Sequence, residues 1–203
     1  MKQAHQLLTV GCVSALLLLG GGCSRDTRIG DRKIRSPKVR TVSHYGVTLN
    51  KEASAKKVAF VLLRSLREDF LAHDEQQRER ALDVTFDVCA AGLLAASNQT
   101  SFTDDELTHQ IVYHWAPVVG YYVGDLDFEW AQAEPRLVTA IAPPLKIGDQ
   151  QYETTNVLIE LADPSGDVRK QVVLIVKLAR DQGYWRVFQL SYEQTRRHIA
   201  GGS

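Results

Sequence analysis

The chain has 203 residues, three cysteines and a formal net charge of zero at pH 7. The zero hides an asymmetry: residues 24–40 carry seven basic and two acidic side chains, a net of +5, and residues 41–203 carry a net of −6. The basic stretch holds no aromatic residue, so nucleic-acid binding is not predicted. The sequence also contains no phosphate-binding loop, dinucleotide glycine fingerprint or Gly-x-Ser-x-Gly elbow, and no cofactor is predicted.

The chain opens with a charged start, an apolar stretch and small residues before a cysteine. Lys2 precedes an apolar segment from about Leu7 to Leu19, and Gly20 to Gly22 precede Cys23. This segment of thirteen residues would rise only about 20 Å as a helix, short of a hydrocarbon core of roughly 30 Å, so it does not predict a spanning anchor. The segment resembles the lipobox of bacterial lipoproteins. The resemblance implies that residues 1–22 are a signal peptide and that Cys23 carries the lipid.

Two features bear on this interpretation. Gly20 stands where lipoboxes favour a branched apolar residue, so an ordinary secretory signal remains the alternative. Ser24, the residue after the acceptor, favours the outer membrane under enterobacterial sorting rules. We therefore expect the protein in the cell envelope, attached to a membrane through the lipid on Cys23 and facing the periplasm or the exterior.

Residues 23–50 are predicted to be a basic, flexible tether, because they hold few apolar residues that could bury a core. An alternative is that the cations of the tether contact anionic lipid headgroups. Residues 51–197 are predicted to form one folded domain, and residues 198–203 a disordered tail. Cys12 would leave with the signal peptide and Cys23 would be acylated, so Cys89 would remain alone and no internal disulfide is expected.

Three helices are predicted at the start of this domain. The first runs from a cap at Ser54 to about Ala72 and presents one apolar face, made of Val58, Val61, Leu62, Leu66 and Phe70. The second runs from about Asp74 to Ala96, and its apolar stripe consists of Leu82, Phe86, Cys89 and Leu93. The stripe predicts that Cys89 is a small buried residue rather than a reactive thiol.

The third helix is predicted from residue 103 to 122. Thr103 and Glu106 have the spacing of a capping box, and Pro117 should kink or interrupt the helix. Its inward face is predicted to consist of Leu107, Ile111, His114 or Trp115, Val118 and Tyr122.

After Gly124 the sequence period changes from helix to strand. Four segments are rich in β-branched and aromatic residues: Arg136 to Ile141, Tyr152 to Leu161, Val168 to Ala179 and Tyr184 to Tyr192. Turn residues at Asp163 to Asp167 and at Asp181 to Gly183 join the last three, which predicts an antiparallel meander. The expected class is α+β, with about three N-terminal helices packed on a curved antiparallel sheet of about four strands.

This order of elements, with a final strand that reads Gly183-Tyr184-Trp185-Arg186-Val187, resembles the nuclear transport factor 2-like superfamily. The resemblance covers roughly residues 51–195. It implies a cone in which the helices fill the concave face of a bent sheet. The superfamily includes isomerase-like and dehydratase-like enzymes as well as ligand-binding and dimerising domains without catalytic activity, so the fold alone does not select a function.

Candidate pocket residues follow from this cone: His114, Trp115, Tyr122 and Trp185. The alternative is that the aromatic residues belong to the core and that His114 is a hydrogen-bonded boundary residue. Glu160 alternates with Ile159 and Leu161 and should point away from their face, so it is not a predicted base. Acidic residues on the second helix, Glu79, Asp83 and Asp87, are expected to form a solvated row. No catalytic residue is assigned.

Metal binding is not predicted either. His109 and His114 are five residues apart, which is not the i, i+4 spacing of two ligands on one helical face.

One strand is apolar on both faces. Val173 and Ile175 alternate with Val172, Leu174 and Val176, so the second face should be covered as well. Residues 41–50 or 194–199 of the chain, or a second copy in a homodimer, are the candidates for that cover.

The sequence as a whole favours an exported, lipid-anchored binding or interaction module without catalytic activity and with an unknown ligand. Two alternatives stay open: a small-molecule isomerase or dehydratase that uses the cone pocket, and an envelope lipid carrier.

Overall fold

The computed structural model describes residues 41–90, 104–124, 128–167 and 171–194. The predicted signal peptide, Cys23 and residues 195–203 lie outside these ranges, as do Leu93 and Thr103. Within the described ranges the fold is α+β, as predicted. No helix in these parts of the chain is long and apolar enough to cross a membrane.

A β-hairpin precedes the first helix. Its strands are β1 (Val42–His44) and β2 (Val47–Leu49), joined at Tyr45 and Gly46, which both have positive φ. Val47 and Leu49 are buried in the same core as the helices. The folded domain therefore begins at about residue 42 rather than at 51, and residues 42–49 are not part of a tether.

The first helix, α1 (Ala55–Leu71), lies at the centre of the domain. It begins as predicted at Ser54, whose hydroxyl accepts a hydrogen bond from the amide of Lys57 at 3.4 Å. The six consecutive residues 58–63 are all buried, so the helix is covered on every side and not on one face only. Phe70 differs from the prediction: it is 46% exposed and lies against Gly120 instead of the core.

The second helix, α2 (Glu75–Val88), is capped by Asp74 and ends well before Ala96. Leu82 is buried and Phe86 is half-buried against the core. Cys89 is buried as predicted, but it does not belong to a helical stripe. It has extended backbone angles and forms an isolated parallel bridge with Val187.

The third helical region is continuous but not uniform. It consists of α3 (Asp104–Gln110), a π-helical turn (Ile111–Trp115) and α4 (Ala116–Val123). The amide of Ala116 donates to the carbonyl of Ile111, five residues earlier, immediately before Pro117. Because Pro117 has no N–H and its ring crowds the preceding turn, the helix widens here and continues beyond Pro117 without interruption. A short helix, α5 (Trp130–Ala133), and a 3₁₀ turn (Glu134–Arg136) lead to the sheet.

The main sheet has four antiparallel strands in the order β3-β6-β7-β8. These strands are β3 (Val138–Ile141), β6 (Thr154–Leu161), β7 (Val172–Asp181) and β8 (Tyr184–Gln194). The meander of the last three confirms the prediction. The turn between β7 and β8 is made by Gln182 and Gly183, which both have positive φ.

A second hairpin, β4 (Leu145–Ile147) and β5 (Gln150–Tyr152), was not predicted. Together with Ala90 it covers Ala179 and Phe188, which form a small apolar cluster apart from the main core. Phe188 is the extra residue of a β-bulge opposite Lys177 and Leu178. One end of the second sheet face is thus covered by the chain itself, but by residues 145–152 and not by residues 41–50.

Candidate functional site

The described part of the chain contains a half-open cleft of about 320 Å³ between the π-helical turn, α4 and the last two strands. The helical side supplies Gln110, His114, Trp115 and Val118, and the strand side supplies Leu174, Leu190, Ser191 and Tyr192. Trp115 and Leu174 are buried, whereas His114 and Tyr192 are exposed. The cleft therefore has an apolar floor and a mouth with an imidazole and a phenol.

Two of the four predicted pocket residues line this cleft and two do not. His114 and Trp115 lie side by side in the helical wall. Tyr122 packs against the main core and makes an edge contact with Tyr121, with ring centroids 4.9 Å apart. Trp185 lies at the other end of β8, under the guanidinium group of Arg180 at 5.6 Å. Neither Tyr122 nor Trp185 is among the cleft residues.

The π-helical turn explains why Tyr122 is displaced. One additional residue in a helical turn rotates everything that follows by about 100°. Val119 and Val123 accordingly take the fully buried positions, while Val118 and Tyr122 are only half-buried. The choice between His114 and Trp115 is also decided: Trp115 is 4% exposed and points inward, and His114 is exposed.

The alternation of side chains along β8 predicts part of the strand side of the cleft. Leu190 and Tyr192 are two residues apart on β8, and they pair with Val176 and Leu174 on the inner side of β7. No pattern in the sequence predicts that the sheet leaves space opposite these positions. Gln110 was missed because it lies between predicted inward positions.

No carboxylate occurs among the described residues that line the cleft. Glu160 is exposed, as expected from its alternation with the buried Ile159 and Leu161. Asp87 is not simply solvated, because its carboxylate lies within hydrogen-bond distance of the imidazole of His44, at 3.1 Å. Asp163 is buried at a turn, where it accepts hydrogen bonds from the amide of Ser165 at 2.8 Å and from the hydroxyl of Tyr121 at 3.2 Å.

Cys89 is a buried free cysteine beside Arg186. Burial raises the pKa of its thiol from 9.0 to about 12, and the positive charge of Arg186 opposes only part of that shift. Burial also lowers the pKa of Arg186, whose guanidinium group donates a hydrogen bond to the carbonyl of Asp87. Because the thiolate is the nucleophilic form, this environment suits a packing role for Cys89.

Within the described ranges, no three His, Cys, Asp or Glu side chains come together as a group that could hold a metal ion. Among the described residues the cleft is therefore the candidate site for a small molecule, and its lining offers apolar contact, aromatic stacking and a few hydrogen bonds.

No family model, curated protein or solved structure matches this chain.

Proposed function

We propose that the protein is a lipid-anchored binding module of the bacterial cell envelope, and that its cleft binds a small, mainly apolar molecule. The observation that carries the proposal is the lining of the cleft: the buried indole of Trp115, the buried Leu174 and two half-buried aliphatic side chains lie beside an exposed imidazole and phenol. Binding sites for small molecules commonly combine an apolar wall with a few polar groups that orient the ligand.

The same lining favours binding over catalysis. A ketosteroid isomerase-like reaction needs a carboxylate base that faces the pocket and donors for the developing oxyanion. The described lining offers His114 as a base but no acid beside it. A volume of about 320 Å³ also lies near the lower end of the range for small-molecule pockets, roughly 300–1,000 Å³, which disfavours a carrier for long acyl chains.

We also propose the nuclear transport factor 2-like cone as the fold. Support comes from the helices that precede the sheet in the chain, the antiparallel meander of β6, β7 and β8, and the packing of α1 on β6 and β8.

An apolar probe tests the cleft. Nile red is a neutral dye that fluoresces in apolar surroundings, and we expect saturable binding to the purified full chain. Val118→Trp should abolish this binding, because Val118 lines the cleft and is half-buried. Ile141→Trp is the matched control, since Ile141 is fully exposed and does not line the cleft. Equal binding by the two variants would contradict the proposal.

The proposed attachment to a membrane rests on Lys2, the apolar segment and Cys23. Cys23→Ser should move the protein from the membrane fraction to the soluble fraction of the periplasm or medium. A Cys23→Ser variant that still fractionates with membranes would exclude the lipid at Cys23 as the anchor.

A second candidate function, homodimer formation, is favoured by the uncovered part of the outer sheet face. Val138, Leu158 and Ile175 are direct neighbours on three adjacent strands. Val138 is 58% exposed, and Leu158 and Ile175 are half-buried. None of the three belongs to an apolar cluster of the described residues. We call these three residues the outer row.

The charged residues on the two sides of the outer row have opposite signs, so they complement the outer row of a second copy in the reversed orientation. On one side Val173 lies between Glu160 and Glu193, and on the other side Lys177 lies between Asn156 and Gln189. A two-fold axis along the outer row would place Lys177 of one copy over Val173 of the other, between the two glutamates. We therefore propose that a second copy of the chain covers the outer row.

Sedimentation velocity tests the dimer. Ile175→Glu should shift the full chain from dimer to monomer without unfolding it. Ile141→Glu is the control: Ile141 is fully exposed and lies three residues after Val138, on the other side of its strand. A wild-type protein that is monomeric at high concentration would overturn the dimer.

A further inference from the structure

His109 and His114 lie together on the surface of the third helical region. Their ring centroids are 5.7 Å apart, with an angle of 53° between the ring planes. In a regular α-helix, two residues five apart point about 140° away from each other. Here the π-helical turn Ile111–Trp115 lies between them and brings both rings to one side. The expectation that their spacing keeps them apart is therefore wrong.

The separation of the rings is close to that of a chelating pair. With metal–nitrogen bonds of about 2.0–2.1 Å, the centroids of two imidazoles on one metal ion lie about 4.5–5.5 Å apart. Both histidines are exposed, so small side-chain rotations can bring the rings to this distance. We propose that His109 and His114 bind one divalent transition-metal ion, with the remaining coordination positions open to water.

The surroundings of the pair favour a cation. The sequence from 104 to 124 contains no Lys or Arg that would repel a cation, and Glu106 lies three residues before His109. Imidazole nitrogen suits zinc, nickel and copper, whereas magnesium and calcium prefer oxygen ligands. The metal class is therefore that of Zn²⁺, Ni²⁺ and Cu²⁺.

The histidine pair lies beside the cleft. His114 also lines the cleft, next to Trp115. A metal ion held by only two protein ligands keeps open positions, and π-helical turns occur frequently at functional sites. The metal site does not depend on a ligand in the cleft, so the two proposals can fail separately.

Calorimetric titration of the full chain, purified without a polyhistidine tag, tests the site with Ni²⁺ and Zn²⁺. We expect one ion per chain, and a loss of affinity of about tenfold or more in His109→Ala and in His114→Ala. His73→Ala is the matched control, since His73 is an exposed histidine at the start of α2. Mg²⁺ should give no binding heat.

Each other outcome overturns the site. Absence of Ni²⁺ and Zn²⁺ binding would do so, as would binding that survives His109→Ala/His114→Ala or that is lost equally in His73→Ala. Circular dichroism of each variant distinguishes loss of a ligand from loss of the fold, and a folded His114→Ala that binds metal like the wild type would also contradict the proposal.

Discussion

The hydroxyl groups of Ser65 and Thr85 are 2.8 Å apart where α1 packs against α2, and both residues are completely buried. The hydroxyl of Ser65 also lies 2.9 Å from the carbonyl of Leu62, and that of Thr85 lies 3.0 Å from the carbonyl of Ala81. Each hydroxyl has one proton. One of them therefore donates across the two helices while the other donates to a carbonyl of its own helix.

This pair predicts coupled stability effects. Thr85→Val keeps the shape of the side chain and removes the hydroxyl, and Ser65→Ala removes its partner; each should lower the free energy of unfolding by about 1 kcal/mol. The loss of unfolding free energy in the double variant should be smaller than the sum of the losses in the two single variants by about 0.5–1 kcal/mol, because the shared hydrogen bond is lost only once. Urea denaturation of the four proteins measures this cycle. Strict additivity would mean that the two hydroxyls do not interact.

Gly120 should not tolerate a side chain. A Cβ atom at this position would fall on the ring of Phe70 and lie 2.6 Å from its Cβ. We expect Gly120→Ala to lower the free energy of unfolding by about 1–3 kcal/mol, as overpacking does elsewhere. Phe70→Ala in the same chain should restore part of the loss, because the ring of Phe70 is the obstacle. Thermal denaturation of both variants checks this, and a Gly120→Ala protein as stable as the wild type would contradict the close packing.

The free energy of unfolding should decrease in alkaline solution because the thiol of Cys89 is buried. Its thiol has a pKa of about 12 in the folded protein, against 9.0 ordinarily, so the unfolded chain releases this proton first as the pH rises. The contribution is complete below pH 9 and declines between pH 9 and 12, by at most about 1.4 kcal/mol per pH unit.

Cys89→Ala is the control, because other groups also titrate in this range. The slope of unfolding free energy against pH, measured by urea denaturation from pH 8 to 10.5, should be steeper in the wild type than in Cys89→Ala. Identical slopes would show that the thiol is not protected by burial.

The periodicity of apolar residues in the sequence predicted the strands more accurately than the buried faces of the helices. The segments that became β6, β7 and β8 combine β-branched residues with turns such as Asp181 to Gly183, and both signals are local. The π-helical turn has only a partial signal, because Pro117 predicts a disturbance of the regular helix but not that the helix widens over Ile111–Trp115 and then continues. The predicted inward face therefore held as far as Trp115 and shifted by one residue after it.

The two hairpins were missed for a different reason. Each of their strands is three residues long, and three residues are too few to show alternation. Cys89 matched a helical spacing with Leu82 and Phe86 by coincidence: it is buried because it reaches the edge of β8, which is a contact between distant parts of the chain. Half of the candidate pocket was found because His114 and Trp115 lie before the shift, and Tyr122 was misplaced because it lies after it.

Native mass spectrometry of the full chain, purified from its host in a mild detergent, tests ligand binding in the cleft most directly. We predict a noncovalent adduct of one small molecule per chain that is retained in Ile141→Trp and absent in Val118→Trp. A wild-type spectrum without an adduct, or an adduct that persists in Val118→Trp, would contradict binding in the cleft between the π-helical turn and β8.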